Sequence, residues 1–140
     1  MKTILILEDE PLVMNLLRHM LKQYNLVEAT SAEQALRLFI ENAHQIDLLL
    51  ADVTLPMSSG VQVALTVRSV VPDLPVVLTS GYSVSSWTDR DASDLDLLGS
   101  KSVIVMQKPN PPKRLLSALD ELIGTKQTEK ARTAGLSAYG

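Results

Sequence analysis

Residues 3–13 read Thr3-Ile4-Leu5-Ile6-Leu7-Glu8-Asp9-Glu10-Pro11-Leu12-Val13, an aliphatic run that stops at three consecutive acids and resumes behind a proline. Four aliphatic residues in a row, with no polar residue alternating among them, suit a strand covered on both faces. Pro11 suits a first helical residue, where its fixed φ and missing N–H are both tolerated. Behind it Leu12, Val13, Leu16, Leu17, Met20 and Leu21 recur at spacings of three and four, which predicts a helix with one apolar stripe. A strand, an acidic turn and a helix therefore follow one another within residues 3–21.

The same unit repeats along the chain. Further strand-like runs occupy 26–29, 48–51, 76–79 and 103–106, the first of them weaker than the others. Ser31 and Gln34 form a capping box ahead of Ala35, Leu36 and Phe39. Val61, Ala64, Leu65 and Arg68 outline a third helix, and Pro112 opens a last one that carries Leu115, Leu116, Leu119, Leu122 and Ile123 and stops at Gly124. This alternation predicts an α/β fold: a doubly wound, five-stranded parallel sheet with helices on both faces. One connection, 81–101, is irregular. It holds Asp89, Asp91, Asp94 and Asp96 and little apolar periodicity, so a short or distorted fourth helix is expected within it. Residues 125–140 are polar and small and read as a flexible tail, which leaves one domain over 1–124.

Composition narrows the function classes. The 140 residues contain no Cys, which excludes disulfide frameworks, thiolate metal sites and cysteine nucleophiles and fits the cytoplasm. With 13 Lys+Arg against 16 Asp+Glu the net charge is −3, the wrong sign for a nucleic-acid-binding face. Residues 1–124 hold ten of those bases and fifteen of the acids, net −5, so the expected domain is the acidic part. The apolar run at 4–7 is too short for a secretory signal or a membrane span, and neither address is expected.

In open parallel sheets, ligands gather at the carboxyl ends of the strands. Those ends carry Glu8-Asp9-Glu10, Asp52, Thr79-Ser80 and Lys108-Pro109. Clustered carboxylates raise one another's pKa unless a cation joins them, and hard oxygen donors of this kind suit Mg²⁺. A cation-loaded site beside a lysine is a place for a phosphoryl group, whose oxygens can be shared among metal, ammonium, hydroxyl and backbone donors. Each residue also has a plainer reading: the acids as partners of a helix dipole, Asp52 as a turn residue, Lys108 as a surface lysine, Thr79 as a good strand former. His19 and His44 show no metal-ligand spacing and read as surface residues, and Tyr82 and Trp87 read as local packing.

Four fragments, ILILEDEPLV (4–13), LLLADVTLPMSSG (48–60), VVLTSGY (76–82) and VMQKP (105–109), occur in this order, each at an expected strand end. With Pro56 and Gly60 four and eight residues beyond Asp52, the chain resembles the receiver domain of two-component response regulators over about residues 1–124. The resemblance implies a flavodoxin-like sheet in the order 2-1-3-4-5. It makes Asp52 the phosphoacceptor, attacking a phosphohistidine on a sensor histidine kinase or a histidine phosphotransfer protein. Asp9 and Asp52 become direct Mg²⁺ ligands, Glu8 acts through water, and the Thr54 backbone carbonyl supplies a further ligand. Lys108 pairs first with the acceptor carboxylate and then with the phosphoryl oxygens, and Thr79 becomes the switch hydroxyl. The implied protein is a cytoplasmic, single-domain regulator that acts through a partner protein, binding neither nucleic acid nor membrane, with its fourth helix, fifth strand and fifth helix as the face for pairing two copies.

Three departures bear on this. Val105 stands where receivers usually carry an aromatic ring three residues before the lysine, Asn110 stands where an aromatic often follows Lys-Pro, and the segment from Thr79 to Lys108 is longer than usual. A β-branched side chain cannot make the swing of a ring. Tyr82 or Trp87 could replace the missing ring in the switch; a second reading is a phosphorylation-independent, receiver-like binding module with impaired switching. A third, a Mg²⁺-dependent phosphohydrolase with an aspartyl nucleophile, would want an acid where Thr54 stands. Flavin binding lacks a Gly-, Ser- or Thr-rich loop after the first strand.

Overall fold

Side chains along a strand alternate between its two faces, and β1 (Thr3–Leu7) puts aliphatic residues on both. Ile4 and Ile6 face one helical layer while Leu5 and Leu7 face the other, none more than 1% exposed. The unbroken apolar run thus reflects burial from both sides. The computed structural model describes residues 1–109 and 111–124; Asn110 and the expected tail, 125–140, lie outside the described residues. β1, β2 (Asn25–Ala29), β3 (Leu48–Asp52), β4 (Val76–Ser80) and β5 (Val103–Gln107) form one parallel sheet in the order β2-β1-β3-β4-β5. This is the expected doubly wound, flavodoxin-like arrangement.

Two cores flank the sheet. On one face α1 (Pro11–Met20) and α5 (Pro112–Ile123) pack Met14, Leu115, Leu119 and Ile123 against Ile4, Ile6, Leu48, Leu50, Val77 and Met106. On the other, α2 (Ala32–Glu41), α3 (Gly60–Val70) and α4 (Asp89–Leu98) pack Phe39, Val61, Val67 and Leu98 against Leu5, Leu7, Leu49, Val76 and Leu78. β3, in the middle, is buried throughout, whereas β2 at the edge is half-buried, which accounts for its weaker apolar signal.

Two helices differ from the expectation. In α1 the residue most buried is Met14, with Leu21 buried just beyond the helix end, while Leu12 and Leu16 are 85% and 55% exposed. Its apolar surface is wider than the strip the sheet covers, so one row faces solvent beside the strand ends. The fourth helix is neither short nor distorted: α4 has ten residues, as many as α1 and α2. The extra length lies before it, in a connection containing one 3-10 turn, Val84–Ser86. Thr88 caps α4 by accepting the Asp91 amide at 3.1 Å, and Asp89 and Asp91 in the first turn complement the helix dipole.

Opposite the strands' carboxyl ends, one guanidinium ties three segments together. Arg68 of α3 donates to the carbonyls of Leu74 at 2.9 Å, Lys101 at 2.7 Å, Ser102 at 3.2 Å and, more weakly, Leu98 at 3.5 Å. At the other end, α3 begins against β3. The Gly60 amide donates to the Val53 carbonyl at 3.2 Å, and a Cβ on Gly60 would overlap the Asp52 carbonyl oxygen.

Overpacking of this kind costs roughly 1–3 kcal/mol. Gly60→Ala is therefore expected to lower the unfolding free energy by that amount in urea denaturation. Gly81→Ala, whose added Cβ meets nothing within 4 Å, should stay within about 0.5 kcal/mol of the parent. Equal losses for the two would show that the contact with Asp52 is not the cause.

Candidate functional site

Strand register sets the site. Leu7 of β1 pairs with Ala51 of β3, and Asp52 pairs with Thr79 of β4, which pairs with Met106 of β5. Residues just past these positions therefore meet at one edge. Glu8 and Asp52 are 2% and 5% exposed, and Asp9 and Thr79 are half-buried. Carboxylate oxygens of Glu8, Asp9 and Asp52 all lie within 4.8 Å of one another.

Lys108, arriving from β5, donates to Glu8 Oε1 at 2.8 Å and to Asp52 Oδ2 at 3.2 Å. Backbone amides serve the remaining oxygens. Glu10 N–H donates to Glu8 Oε2 at 3.2 Å, and Thr54 N–H donates to Asp52 Oδ1 at 3.1 Å. The frame around them is also bonded: Val53 N–H reaches the Thr79 carbonyl at 2.8 Å, and Lys108 N–H the Ser80 carbonyl at 2.7 Å. The structure thus brings Glu8, Asp9, Asp52 and Lys108 into one cluster, with Thr79 beside Asp52 in the sheet and Thr54 joined to Asp52 by its amide. Glu10 and both histidines are exposed.

The electrostatics are unbalanced. Burial pushes the Glu8 carboxyl above its ordinary 4.5, more than the Lys108 hydrogen bond and the Glu10 amide pull it back. Burial alone would depress Lys108, yet the hydrogen bond to Glu8 and the charges of Asp52 and Glu8 hold it above 10.5. One ammonium facing three carboxylates leaves a surplus of two negative charges. Among the described residues the Asp9 carboxylate has no hydrogen-bond or ion-pair partner. A cluster of hard oxygens in negative excess, one of them half-buried and unpaired, fits a divalent cation such as Mg²⁺.

Two features escaped the sequence reading. Gly60 appeared only as a spacing marker, whereas the structure shows its hydrogen in contact range of the Asp52 backbone. The second is an apolar cavity of about 230 Å³ beside the site, walled by Val13, Leu16, Leu17, Met20 and Leu115 and reaching Asp52, Thr79 and Lys108. Its sequence signal was the excess width of the α1 stripe.

Without added Mg²⁺, Glu8 holds its proton more tightly in the folded chain than in the unfolded one. The stability it contributes is fully present below 4.5 and is lost as pH rises through the raised folded value. Urea melts between that pH and neutrality should show the parent losing stability more steeply than Glu8→Gln. Parallel curves would overturn this assignment.

Comparison with known proteins agrees with the geometry. The sequence model of the response regulator receiver domain matches residues 4–120. Among curated proteins, the autoinducer 1 sensor kinase/phosphatase LuxN of Vibrio campbellii is 27% identical over 124 residues, 87% of this chain and 13% of that protein. Sensor kinase CckA of Brucella abortus is 28% identical over 123 residues, 86% of this chain and 12% of that protein. The chain thus spans about one-eighth of the length of these relatives. A receiver domain structure from Clostridium thermocellum superposes with a TM-score of 0.75 at 23% identity, covering 91% of this chain and 98% of that one. A family match over most of the chain, on a sheet in the order 2-1-3-4-5 with acids and a lysine at its carboxyl edge, leads to one conclusion: this chain belongs to the response regulator receiver domain family.

Proposed function

We propose that residues 1–124 form a phosphorylation-controlled switch in which Asp52 accepts a phosphoryl group from a phosphohistidine on a sensor histidine kinase or a histidine phosphotransfer protein. The observation that carries this reading is the Lys108 ammonium shared between the buried Glu8 and Asp52 carboxylates, with the Asp9 carboxylate, unpaired among the described residues, alongside. The kinase names of the LuxN and CckA relatives support the choice of donor. A cytoplasmic location agrees with such a donor, and no described helix is long and apolar enough to cross a membrane.

An Asp52 oxygen attacks phosphorus as the bond from phosphorus to the histidine nitrogen breaks. The nitrogen keeps the electron pair and takes a proton from solvent. Lys108 then has new phosphoryl oxygens to bond in place of the carboxylate oxygen. Thr79, level with Asp52 across the β3–β4 pair, would donate its hydroxyl to the acyl phosphate. Asp9 and Asp52 would hold Mg²⁺ directly, with Glu8 through water and the Thr54 carbonyl as a further ligand. When bound, the ion supplies charge neutralisation for the transferring group. Slow hydrolysis of the aspartyl phosphate resets the switch, and the signal passes through a partner protein, so turnover of a separate substrate is not its role.

Incubation with acetyl phosphate and MgCl2 is expected to add one acid-stable, base-labile phosphoryl group by intact mass. Asp52→Asn, or excess EDTA, should abolish it. An unmodified parent chain would sink the proposal. A second reading, a binding module that does not switch, is favoured by Val105, which lies half-buried where a ring would be needed to move. Trp87, the chain's one tryptophan, separates the two readings. In a switching protein phosphorylation changes Trp87 fluorescence and the amide exchange of residues 80–100; with both unchanged in phosphorylated protein, the module reading stands.

A further inference from the structure

A second cavity, of about 310 Å³, lies between the β3–α3 loop and the start of α4, with Thr54, Leu55 and Ser58 on one side and Tyr82, Trp87 and Asp91 on the other. That volume is at the lower end for organic ligands, suited to one side chain or a fragment-sized molecule. Its aromatic wall is built. The Trp87 indole N–H donates to the Tyr82 carbonyl at 3.3 Å, and the Tyr82 amide donates to the buried Ser80 Oγ at 3.1 Å. Tyr82 itself is 63% exposed, an aromatic side chain for which the core has no use.

Among the described residues the charge of the cavity is also uncompensated. Arg90, the cation nearest in sequence, is turned to Asp94 at 3.8 Å and, with the Gln62 amide in its better orientation, to Gln62 Oε1 at 2.9 Å. Among the described residues the half-buried Asp91 carboxylate has no hydrogen-bond or ion-pair partner. Aromatic faces and a carboxylate around a space of this size attract an organic cation, the rings through their quadrupoles and the acid by charge. The first turn of α4 adds Asp89, so the approach to the cavity is negative.

We propose that this cavity is a docking pocket for a lysine or arginine side chain on a basic segment of a partner protein, held by Tyr82, Trp87 and Asp91. The pocket uses none of the proposed phosphotransfer residues' side chains, and its test uses unphosphorylated protein, so it stands or falls apart from the phosphoacceptor reading.

Trp87 reports on its own pocket. Its emission would be followed during titration with the peptide acetyl-Gly-Arg-Gly-amide, with ethylguanidinium, and with ethylurea as an uncharged mimic, at constant ionic strength. The expected result is saturable change with both cations, at lower concentration with the peptide, and none with ethylurea. Asp91→Asn and Tyr82→Leu should each weaken peptide binding about fivefold or more, whereas Asp96→Asn on the same helix should not. Tyr82 is exposed, so its replacement leaves a folded protein in which loss of binding can be read. Equal response to ethylurea, or equal loss in Asp96→Asn, would overturn the pocket, and equal affinity for ethylguanidinium and peptide would overturn the partner reading in favour of a free small cation.

Discussion

The Lys108 ammonium is the point on which the site depends. It bonds two buried carboxylates, Glu8 and Asp52, that are 100 and 56 residues away along the chain. Burying either acid as an anion without such a partner would be strongly destabilising, and the lysine that supplies it comes from a distant strand. Only a sheet with β3 beside β1, in correct register, puts Glu8 and Asp52 side by side for a lysine leaving β5. The demands of the site are therefore also demands on the fold. A slip of one residue in β3 would turn Asp52 to the opposite layer of helices.

Much of this was legible in the order of the residues, because both-face burial and capping are local signals. The strands, the Ser31 cap of α2 and the proline starts of α1 and α5 stood where expected. The acids, Thr79 and Lys108 followed once the strand ends were known. What escaped depended on tertiary context. Spacing could not show that α1 would bury Met14 and leave Leu12 and Leu16 in solvent, since which row is covered depends on the sheet and α5. α4 was obscured because its stability comes from its cap and dipole rather than an apolar stripe, although Thr88 followed by Asp91 was a readable start signal. That Lys108 approaches Glu8 more closely than Asp52 is a matter of side-chain reach that no motif contains.

Thr79 and Ser80 are neighbours in β4 that point to opposite faces, and the two cavities beside the site divide accordingly. Thr79 borders the apolar space under α1 and α5, while Ser80 holds the Tyr82 amide that orders the wall near α4. A displacement of this one dipeptide is felt on both sides of the sheet. Val105 sits among aliphatic neighbours on the α4 side, so the aromatic side chains nearest the start of α4 are Tyr82 and Trp87, with Phe39 held in the core by α2.

The Arg68 guanidinium gives α4 a polarity that its regular geometry hides. Three of the four carbonyls it holds, those of Leu98, Lys101 and Ser102, belong to the helix's last turn and the link into β5. That end is pinned by backbone carbonyls, whereas the opposite end is held by the Thr88 cap, by Arg90 reaching Gln62 of α3 and by a connection rich in serine. Such a helix is a lever with its fulcrum far from the carboxylates. A push at the Tyr82 end would therefore tilt the helix more at Asp89 than at Leu98, where the Arg68 bonds hold it.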